Sequence, residues 1–422
     1  MMSNYINNFN NFVPFETPIY YSGPYWDNQE IDAAINSLTS GKWISSGESV
    51  HKFECRFSKK FNQKYSTMVN SGSSANLVMI GAIKKVLDWN DGDEIILSPV
   101  GFPTTIAPVV QHNLTPVFID IEFETLNFNL NLIEEKITER TRAIFISPVL
   151  GNPPDFDRLL EIKSKYGIEL IMDNCDSLGS KWRGKFLPEY TIASSCSFYP
   201  AHHISTGEGG MVSSDNEEII AAARSLASWG RDCYCVGAAN LLPNGTCGKR
   251  FSKWLDYYDD PIDHKYVFNN MGYNLKPLDL QGAIGLIQLQ KYDEIHKKRR
   301  VSKNRLDEIL EESPAAYDLY VPKELEYAET SWFGTPIVCN HKLTKTHLVK
   351  YFEKNKIQTR NYFAGNILLH PGYSHLDDYK KYPNANEVLD RVFFIGASPH
   401  YTEEIFSYIQ QRLIERHLYF PL

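Results

Sequence analysis

The 422-residue sequence lacks two features that would place it in or across a membrane. It has no apolar run near the ~18 residues that a membrane-spanning helix needs. Its N-terminal stretch is rich in asparagine and aromatic residues, and it has no basic segment followed by an apolar core, which a secretory signal requires. We therefore expect a cytoplasmic protein that does not bind a membrane.

A positive net charge and an obvious disulfide framework are also missing. The formal net charge is −8, whereas general nucleic-acid binders present cationic surfaces that displace counterions. Nucleic acid is therefore not an expected partner. The seven cysteines are an odd number in a long chain without an export signal, so they are better interpreted as core residues or metal ligands than as disulfides.

Short apolar segments alternate with helix-like segments through the first half of the chain. This alternation predicts an α/β fold on a mostly parallel sheet, which binds ligands at the carboxyl ends of its strands. The predicted strands are 93–98, 115–120, 142–149, 168–173, 194–199 and 210–214, and the predicted helices include 74–87, 154–166 and a long charged helix over 281–311. We expect an N-terminal arm over 1–25, a large domain over 26–290, and a connecting helix with a smaller C-terminal α/β domain over 291–422.

Two segments at the ends of predicted strands could bind an anionic aromatic ligand. Residues 70–75 read Asn-Ser-Gly-Ser-Ser-Ala and lead into a helix, whose N-terminal N–H groups favour a phosphate. A simple serine helix cap is the alternative interpretation. Asp173 ends the apolar strand 168–173, and a carboxylate there needs a cationic or hydrogen-bonding partner to stay charged. A protonated pyridine nitrogen would be one such partner, and a helix-capping role is the alternative.

A third segment, 197–210, contains two adjacent histidines and a Gly-Glu-Gly-Gly turn. Together the segments resemble the DegT/DnrJ/EryC/StrS sugar aminotransferase family, which acts on nucleotide-linked keto-sugars. Members typically carry N-S-G-T-x-A, an aromatic residue before a Thr-rich turn, E-D, and S-F-x-x-x-K before G-E-G-G. The corresponding segments here are 70–75, 101–105, 172–173 and 197–210.

The resemblance implies the aminotransferase type I fold and a vitamin-B6 cofactor. It assigns Gly72, Ser73 and Ser197 to the cofactor phosphate, and Phe102 to stacking on the ring. It pairs Asp173 with the ring nitrogen, and we count the nearby Asp176 among the cofactor-binding residues. It also assigns Asn274 to the phosphate of a neighbouring subunit, which implies a homodimer with shared active sites, and it implies that residues 360–366 face the site.

The position of the family's lysine is occupied by His202 in this sequence. Without that amine the cofactor should be held non-covalently, as pyridoxamine 5′-phosphate (PMP), and the imidazole can serve as a general base. This is the pattern of the family's sugar 3-dehydratases. His203 stands where the family often has asparagine, so we assign the base to His202.

Four cysteines, Cys175, Cys233, Cys235 and Cys247, have the spacing C-x57-C-x1-C-x11-C. Four thiolates suit a [2Fe–2S] cluster or a zinc ion, and the spacing alone leaves both open. The surrounding segments resemble the CDP-4-keto-6-deoxy-D-glucose 3-dehydrases of the family, although the last gap is longer here. That resemblance implies a [2Fe–2S] cluster, a CDP-linked keto-sugar and a separate NAD(P)H-dependent flavin and iron–sulfur reductase.

Three alternatives stay open at this point. A cluster-free PMP 3-dehydratase that takes its amine from glutamate would need His202 but not the four cysteines. A true aminotransferase would need another lysine in place, for which Lys181, Lys185 and Lys249 are the candidates. A non-catalytic nucleotide-sugar-binding homologue would explain the missing lysine as lost activity.

Overall fold

The computed structural model describes residues 12–40, 43–233, 248–252 and 255–419. Within these residues, the elements of the first half are α1 (Asn28–Thr39), α2 (Glu48–Lys60), β1 (Tyr65–Val69), α3 (Gly72–Val86), β2 (Glu94–Leu97), α4 (Pro103–Gln111), β3 (Thr115–Phe118), β4 (Thr141–Ile146), α5 (Phe156–Tyr166), β5 (Glu169–Asp173), β6 (Lys181–Trp182), β7 (Lys185–Phe186), β8 (Ala193–Ser197), β9 (Gly210–Ser214) and α6 (Glu217–Ala227).

The second half begins with the longest helix of the described chain. Its elements are α7 (Asp279–Glu312), β10 (Leu319–Tyr320), β11 (Ala328–Glu329), β12 (Gly334–Cys339), α8 (Lys342–Lys354), β13 (Arg360–Asn361), α9 (Pro383–Arg391), β14 (Val392–Gly396) and α10 (Glu403–Tyr419). None of the helices in the described ranges combines the length and the apolar character that crossing a membrane requires.

A seven-stranded sheet in the order β1-β9-β8-β5-β4-β2-β3 forms the centre of the first half. β9 runs antiparallel to both of its neighbours, and the other adjacent pairs are parallel. Along β2, Ile95 and Leu97 pack into one apolar cluster while Ile96 packs into another. Both faces of the sheet are therefore covered, as parallel sheets require. The predicted α/β fold with a mostly parallel sheet is confirmed.

β1 is absent from the strands predicted from sequence. It reads Tyr-Ser-Thr-Met-Val and pairs antiparallel with β9 at the edge of the sheet. Its polar Ser66 is buried because its hydroxyl bonds to the hydroxyls of Ser58 and Ser213, at 2.8 and 2.7 Å. The strand is thus stabilised by tertiary hydrogen bonds that its own sequence does not reveal.

A smaller antiparallel sheet, β10-β12-β14-β13, lies in the second half. It packs on α7, α8 and α10 through an apolar cluster that includes Leu306, Leu348 and Ile409. Ile19, near the start of the described chain, joins this cluster and bridges Ile357. α7 contacts α1 and α2 on one side and α10 on the other, so it connects the two halves.

Candidate active site

A cavity of about 420 Å³ opens where β5 and β8 end and α3 begins. This is the carboxyl edge of the parallel strands, where α/β sheets bind ligands. Eight residues singled out from the sequence line this one cavity: Gly72, Ser73, Phe102, Asp173, Cys175, Asp176, Ser197 and His202.

The N-terminus of α3 forms one wall of the cavity. Ser71 caps the helix, since its hydroxyl accepts the N–H of Ser74 at 3.1 Å. The first N–H groups of a helix have no partner within the helix and attract an anion. A Cβ atom on Gly72 would lie 2.5 Å from Ser197 Cβ and 2.8 Å from Ser197 Oγ. Glycine is therefore needed for the helix to start this close to β8, and the observed serine cap leaves the phosphate role of this turn a prediction.

Asp173 is the last residue of β5 and is 6% exposed. Its Oδ2 accepts hydrogen bonds from Asn76 Nδ2 and Thr105 Oγ1, both at 2.7 Å. Its Oδ1 accepts the N–H of Cys175 at 3.1 Å. No lysine or arginine of the described ranges forms an ion pair with it. A buried carboxylate held by neutral donors can accept a cation from the cavity, and a protonated pyridine nitrogen fits that requirement.

The two adjacent histidines lie in different surroundings. His202 lines the cavity, and its Nδ1 is 3.5 Å from Asp176 Oδ1. Burial lowers the pKa of His202 to about 4, against the opposing effect of the Asp173 charge. The imidazole is therefore neutral at pH 7 and able to accept a proton. His203 instead donates from Nε2 to the carbonyl of Ser331 at 2.9 Å and is buried.

Asp176 lines the cavity beside His202. Burial, together with the charge of Asp173, raises the pKa of Asp176 to about 7. A carboxyl group with such a pKa exists in both protonation states near neutral pH, so it can donate or accept a hydrogen bond in the cavity.

Aromatic side chains line the mouth of the cavity. Phe102 is 54% exposed there, which leaves its ring free for a ligand. Phe363 meets it edge-on at 6.3 Å and belongs to the segment 360–366. Tyr21 and Phe333 also line the cavity, and the Phe333 ring centroid lies 5.2 Å from that of His202. No sequence motif indicated Tyr21, Phe333 or Asn76, because tertiary packing alone brings them here. Thr105 belongs to the motif segment 101–105, but the motif did not predict its hydrogen bond to Asp173.

The remaining predicted site residues are distributed differently. Cys175 lines the cavity, and burial together with Asp173 raises the pKa of its thiol well above the ordinary value. Cys233 is buried elsewhere, and Asn274 accepts a hydrogen bond from Lys276 rather than lining this chain's cavity. Cys235 and Cys247 lie outside the described residues. In the ranges that are described, no group of three or more metal-binding side chains is assembled, so the four-cysteine site stays a prediction.

A model of the DegT/DnrJ/EryC1/StrS aminotransferase family matches residues 24–414. The chain belongs to this family. The resemblance inferred from the four sequence segments is thereby confirmed at the level of the family. The dTDP-4-dehydro-2,6-dideoxy-D-glucose 3-dehydratase of Saccharopolyspora spinosa is 37% identical over 413 residues, which cover 96% of this chain and 87% of the relative. The lipopolysaccharide biosynthesis protein RfbH of Salmonella typhimurium is 34% identical over 415 residues, which cover 96% of this chain and 93% of RfbH.

Solved structures of the DegT/DnrJ/EryC1/StrS family share the fold. One is a GDP-4-keto-6-deoxymannose-3-dehydratase with a trapped PLP–glutamate geminal diamine, where PLP is pyridoxal 5′-phosphate. It superposes with a TM-score of 0.80 at 29% sequence identity, and the match covers 94% of this chain and 100% of that chain. The predicted aminotransferase type I fold is confirmed by this match.

Proposed function

We propose that this protein catalyses PMP-dependent loss of the C3 hydroxyl from a nucleotide-linked 4-keto-6-deoxyhexose, with His202 as the base. One observation carries the proposal: among the described residues, the cavity lining combines Asp173, the start of α3 and a neutral histidine, with no lysine. The candidate lysines of the described residues, Lys181, Lys185 and Lys249, are not among the lining residues. An aminotransferase that binds its cofactor through lysine is therefore disfavoured.

The predicted cofactor-binding residues that line the cavity suit the roles proposed for them. The N–H groups at the start of α3, with Gly72, Ser73 and Ser197, suit the phosphate. When bound, PMP supplies a primary amine for the sugar ketone and a ring that withdraws electrons. Asp173 would hold the ring nitrogen protonated, and Phe102 would cover the ring face.

His202 then has one task, which is to move a proton. Its neutral imidazole accepts the proton whose removal lets the C3 hydroxyl leave. The nearby Asp176 carboxyl can hydrogen-bond to the cofactor or to the imidazole. The exposed Phe102 and the surrounding aromatic lining exclude water from the ring.

For the reducing equivalents we favour the cluster-free route in which glutamate is consumed. The chemistry balances without a metal: one keto-sugar and one glutamate give the 3-deoxy keto-sugar, 2-oxoglutarate and ammonia. The related GDP-linked dehydratase, trapped with a PLP–glutamate adduct, supports this route. The resemblance favours CDP as the nucleotide, and the relatives act on dTDP- and GDP-linked sugars, so all three should be assayed.

The [2Fe–2S] route is kept as a second candidate because of Cys175. A Cβ on Gly72 would lie 3.1 Å from the Cys175 Sγ, so the thiol reaches the wall of the cofactor cavity beside Asp173. A cluster ligand here would shorten the electron path from a flavin and iron–sulfur reductase to the cofactor. Iron, acid-labile sulfide and zinc per chain, measured on protein purified without oxygen, separate the routes. About two irons with matching sulfide favour the cluster, stoichiometric zinc indicates a structural site, and no metal favours glutamate.

The function itself is tested by His202→Asn. We expect this variant to bind PMP as the wild type does but to lose at least ~100-fold in turnover, the scale of a general base. The exposed His347, in α8, provides the control variant His347→Asn, which should keep full activity. The assay follows the 3-deoxy product together with 2-oxoglutarate and ammonia. Substantial turnover by His202→Asn would remove His202 from the mechanism, and a wild type without product would refute the dehydratase assignment.

We also propose a homodimer in which Asn274 of one chain reaches the phosphate bound by the other. The position of Asn274 outside its own chain's cavity agrees with this role.

The dehydrated sugar would be a precursor of surface polysaccharide, in keeping with the lipopolysaccharide role that RfbH is named for.

A further inference from the structure

A buried arginine on α7 lies directly behind the turn that carries His202. Arg299 is 1% exposed. Its Nη2 donates to the carbonyl oxygens of His202 at 3.0 Å and Ala201 at 3.3 Å, and its Nη1 donates to the carbonyl oxygen of Phe333 at 3.1 Å. One guanidinium therefore joins two chain segments that are far apart in the sequence.

Both joined segments touch the reactive imidazole. The ring of Phe333 packs against the ring of His202, with 5.2 Å between the two ring centroids. The backbone at Ala201 and His202, which Arg299 holds, determines the position of the His202 Cα from which the imidazole extends. The hydroxyl of Ser22 also donates to the Ala201 carbonyl at 2.6 Å, on the same side of the turn. The buried Nδ1 of His202 lies 3.5 Å from Asp176 Oδ1 and accepts or donates no short hydrogen bond within the described chain. The position of the ring therefore depends on packing and on the backbone that carries it.

The burial of Arg299 is costly in the absence of an ion pair. No carboxylate of the described residues lies within salt-bridge distance of it, and its Nε has no hydrogen-bond partner there. Replacing a buried charge by a well-packed apolar side chain is often neutral or stabilising, so the stability of the fold alone gives no reason for an arginine here. The planar fork of arginine reaches carbonyls in two directions, which the single ammonium of lysine does not.

We propose that Arg299 is a positioning residue that fixes His202 at the distance and angle required for proton transfer. This inference rests on the proposed function, since it gives His202 the role of base. Burial lowers the pKa of Arg299 to about 10, so the guanidinium still carries its charge at neutral pH. Arg299 is not among the residues that line the cavity, and it acts through the backbone.

Arg299→Met and Arg299→Lys test the proposal in the cofactor-loaded enzyme. Because small misplacements of a catalytic group can cost about 100-fold in rate, we expect kcat to fall by about that factor in Arg299→Met, while KM changes by less than about threefold. Arg299→Lys keeps the charge but reaches fewer carbonyls, so its kcat should be intermediate. Arg412 provides the matched control: it is 5% exposed in α10 and pairs with Glu415. Arg412→Met removes another buried arginine, one far from the His202 turn, and should leave kcat unchanged.

A second measurement needs no cofactor. In cofactor-free protein labelled with ¹⁵N-histidine, the His202 signal is assigned by its loss in His202→Asn. We expect that signal to shift or broaden in both Arg299 variants and to stay in place in Arg412→Met. If Arg299→Met does not fold, the kcat and the His202 signal of Arg299→Lys test the proposal instead.

Two results would overturn the assignment. One is a folded Arg299 variant whose kcat and His202 signal match those of the wild type. The other is a loss of activity that Arg412→Met reproduces, which would make Arg299 a general structural residue. Failure of the proposed function is distinguishable, since it would appear as retained turnover in His202→Asn whatever Arg299 does.

Discussion

His202 and His203 are adjacent in the sequence and have the same type of side chain, yet the two imidazoles lie in different environments. His202 faces the cavity beside Asp176, whereas the imidazole of His203 is held by the Ser331 carbonyl. Burial is the larger cause of the low pKa in both, and the charge of Arg299 adds to it. The direction of each side chain therefore separates a candidate base from a structural residue.

His203→Gln is expected to flatten the dependence of stability on pH. Burial holds the pKa of His203 well below 6.5, so the folded state stays neutral while the unfolded state binds a proton as pH falls below about 6.5. The unfolded state then binds more protons than the folded state. As the pH is lowered, the free energy of unfolding therefore decreases, by up to ~1.4 kcal/mol per pH unit. Glutamine does not titrate, and its amide can still donate to Ser331.

Urea unfolding of wild type and His203→Gln between pH 7 and pH 5 measures this effect. The wild type should lose stability faster than the variant as pH falls through this window. Because other groups titrate equally in both proteins, the difference between the two curves isolates His203. A difference that does not change with pH would show that His203 is not buried in the neutral form.

At the scale of the element, the start of α3 combines two functions in one turn. The Ser71 hydroxyl accepts the N–H of Ser74 and so caps the start of the helix, while Gly72 lets the same turn approach Ser197. The helix N-terminus thereby forms a wall of the cavity without a side chain that would fill it. The geometry needed by a phosphate is built into the helix itself.

Gly72→Ala is expected to weaken PMP binding by ~10- to 100-fold, because the new methyl group would displace Ser197 and cost a charge-assisted hydrogen bond. The methyl carbon would lie 2.5 Å from Ser197 Cβ. Because a Cβ atom is bonded directly to the backbone, Ser197 Cβ could move away only if β8 itself moved. Gly372→Ala is the control, since that glycine is exposed and has open space around it. Fluorescence titration of cofactor-free protein with PMP measures the affinity, and unchanged affinity in Gly72→Ala would argue against a phosphate at this turn.

At the scale of the whole molecule, the cavity draws on distant parts of the chain. Tyr21 precedes the first helix, Asp173 and His202 belong to the large-sheet half, and Phe363 lies beside the smaller sheet. α7 joins these halves and carries Arg299. The site therefore depends on how the two halves pack, and the proposed dimer would add Asn274 from a second chain.

Subunit mixing tests the shared site. Mixed dimers of His202→Asn and Asn274→Ala chains contain one site with both residues intact, so random exchange should restore about a quarter of wild-type activity from two inactive proteins. The mixture is exchanged in mild denaturant, diluted and assayed, with each variant alone as the control. An active Asn274→Ala homodimer, or no recovery in a mixture shown to contain mixed dimers, would contradict the proposed role of Asn274.

Six of the seven strands of the large sheet, the long connecting helix and the segments that mark the family could be predicted from the sequence, because apolar periodicity and short motifs are local properties of the chain. The remaining features depend on tertiary packing. The tertiary structure brought Asn76 and Thr105 to Asp173 and showed that β1 is a strand. It also placed Phe333 and Arg299 around His202. These contacts join residues distant in sequence, and only the packing of the folded chain determines which of them meet.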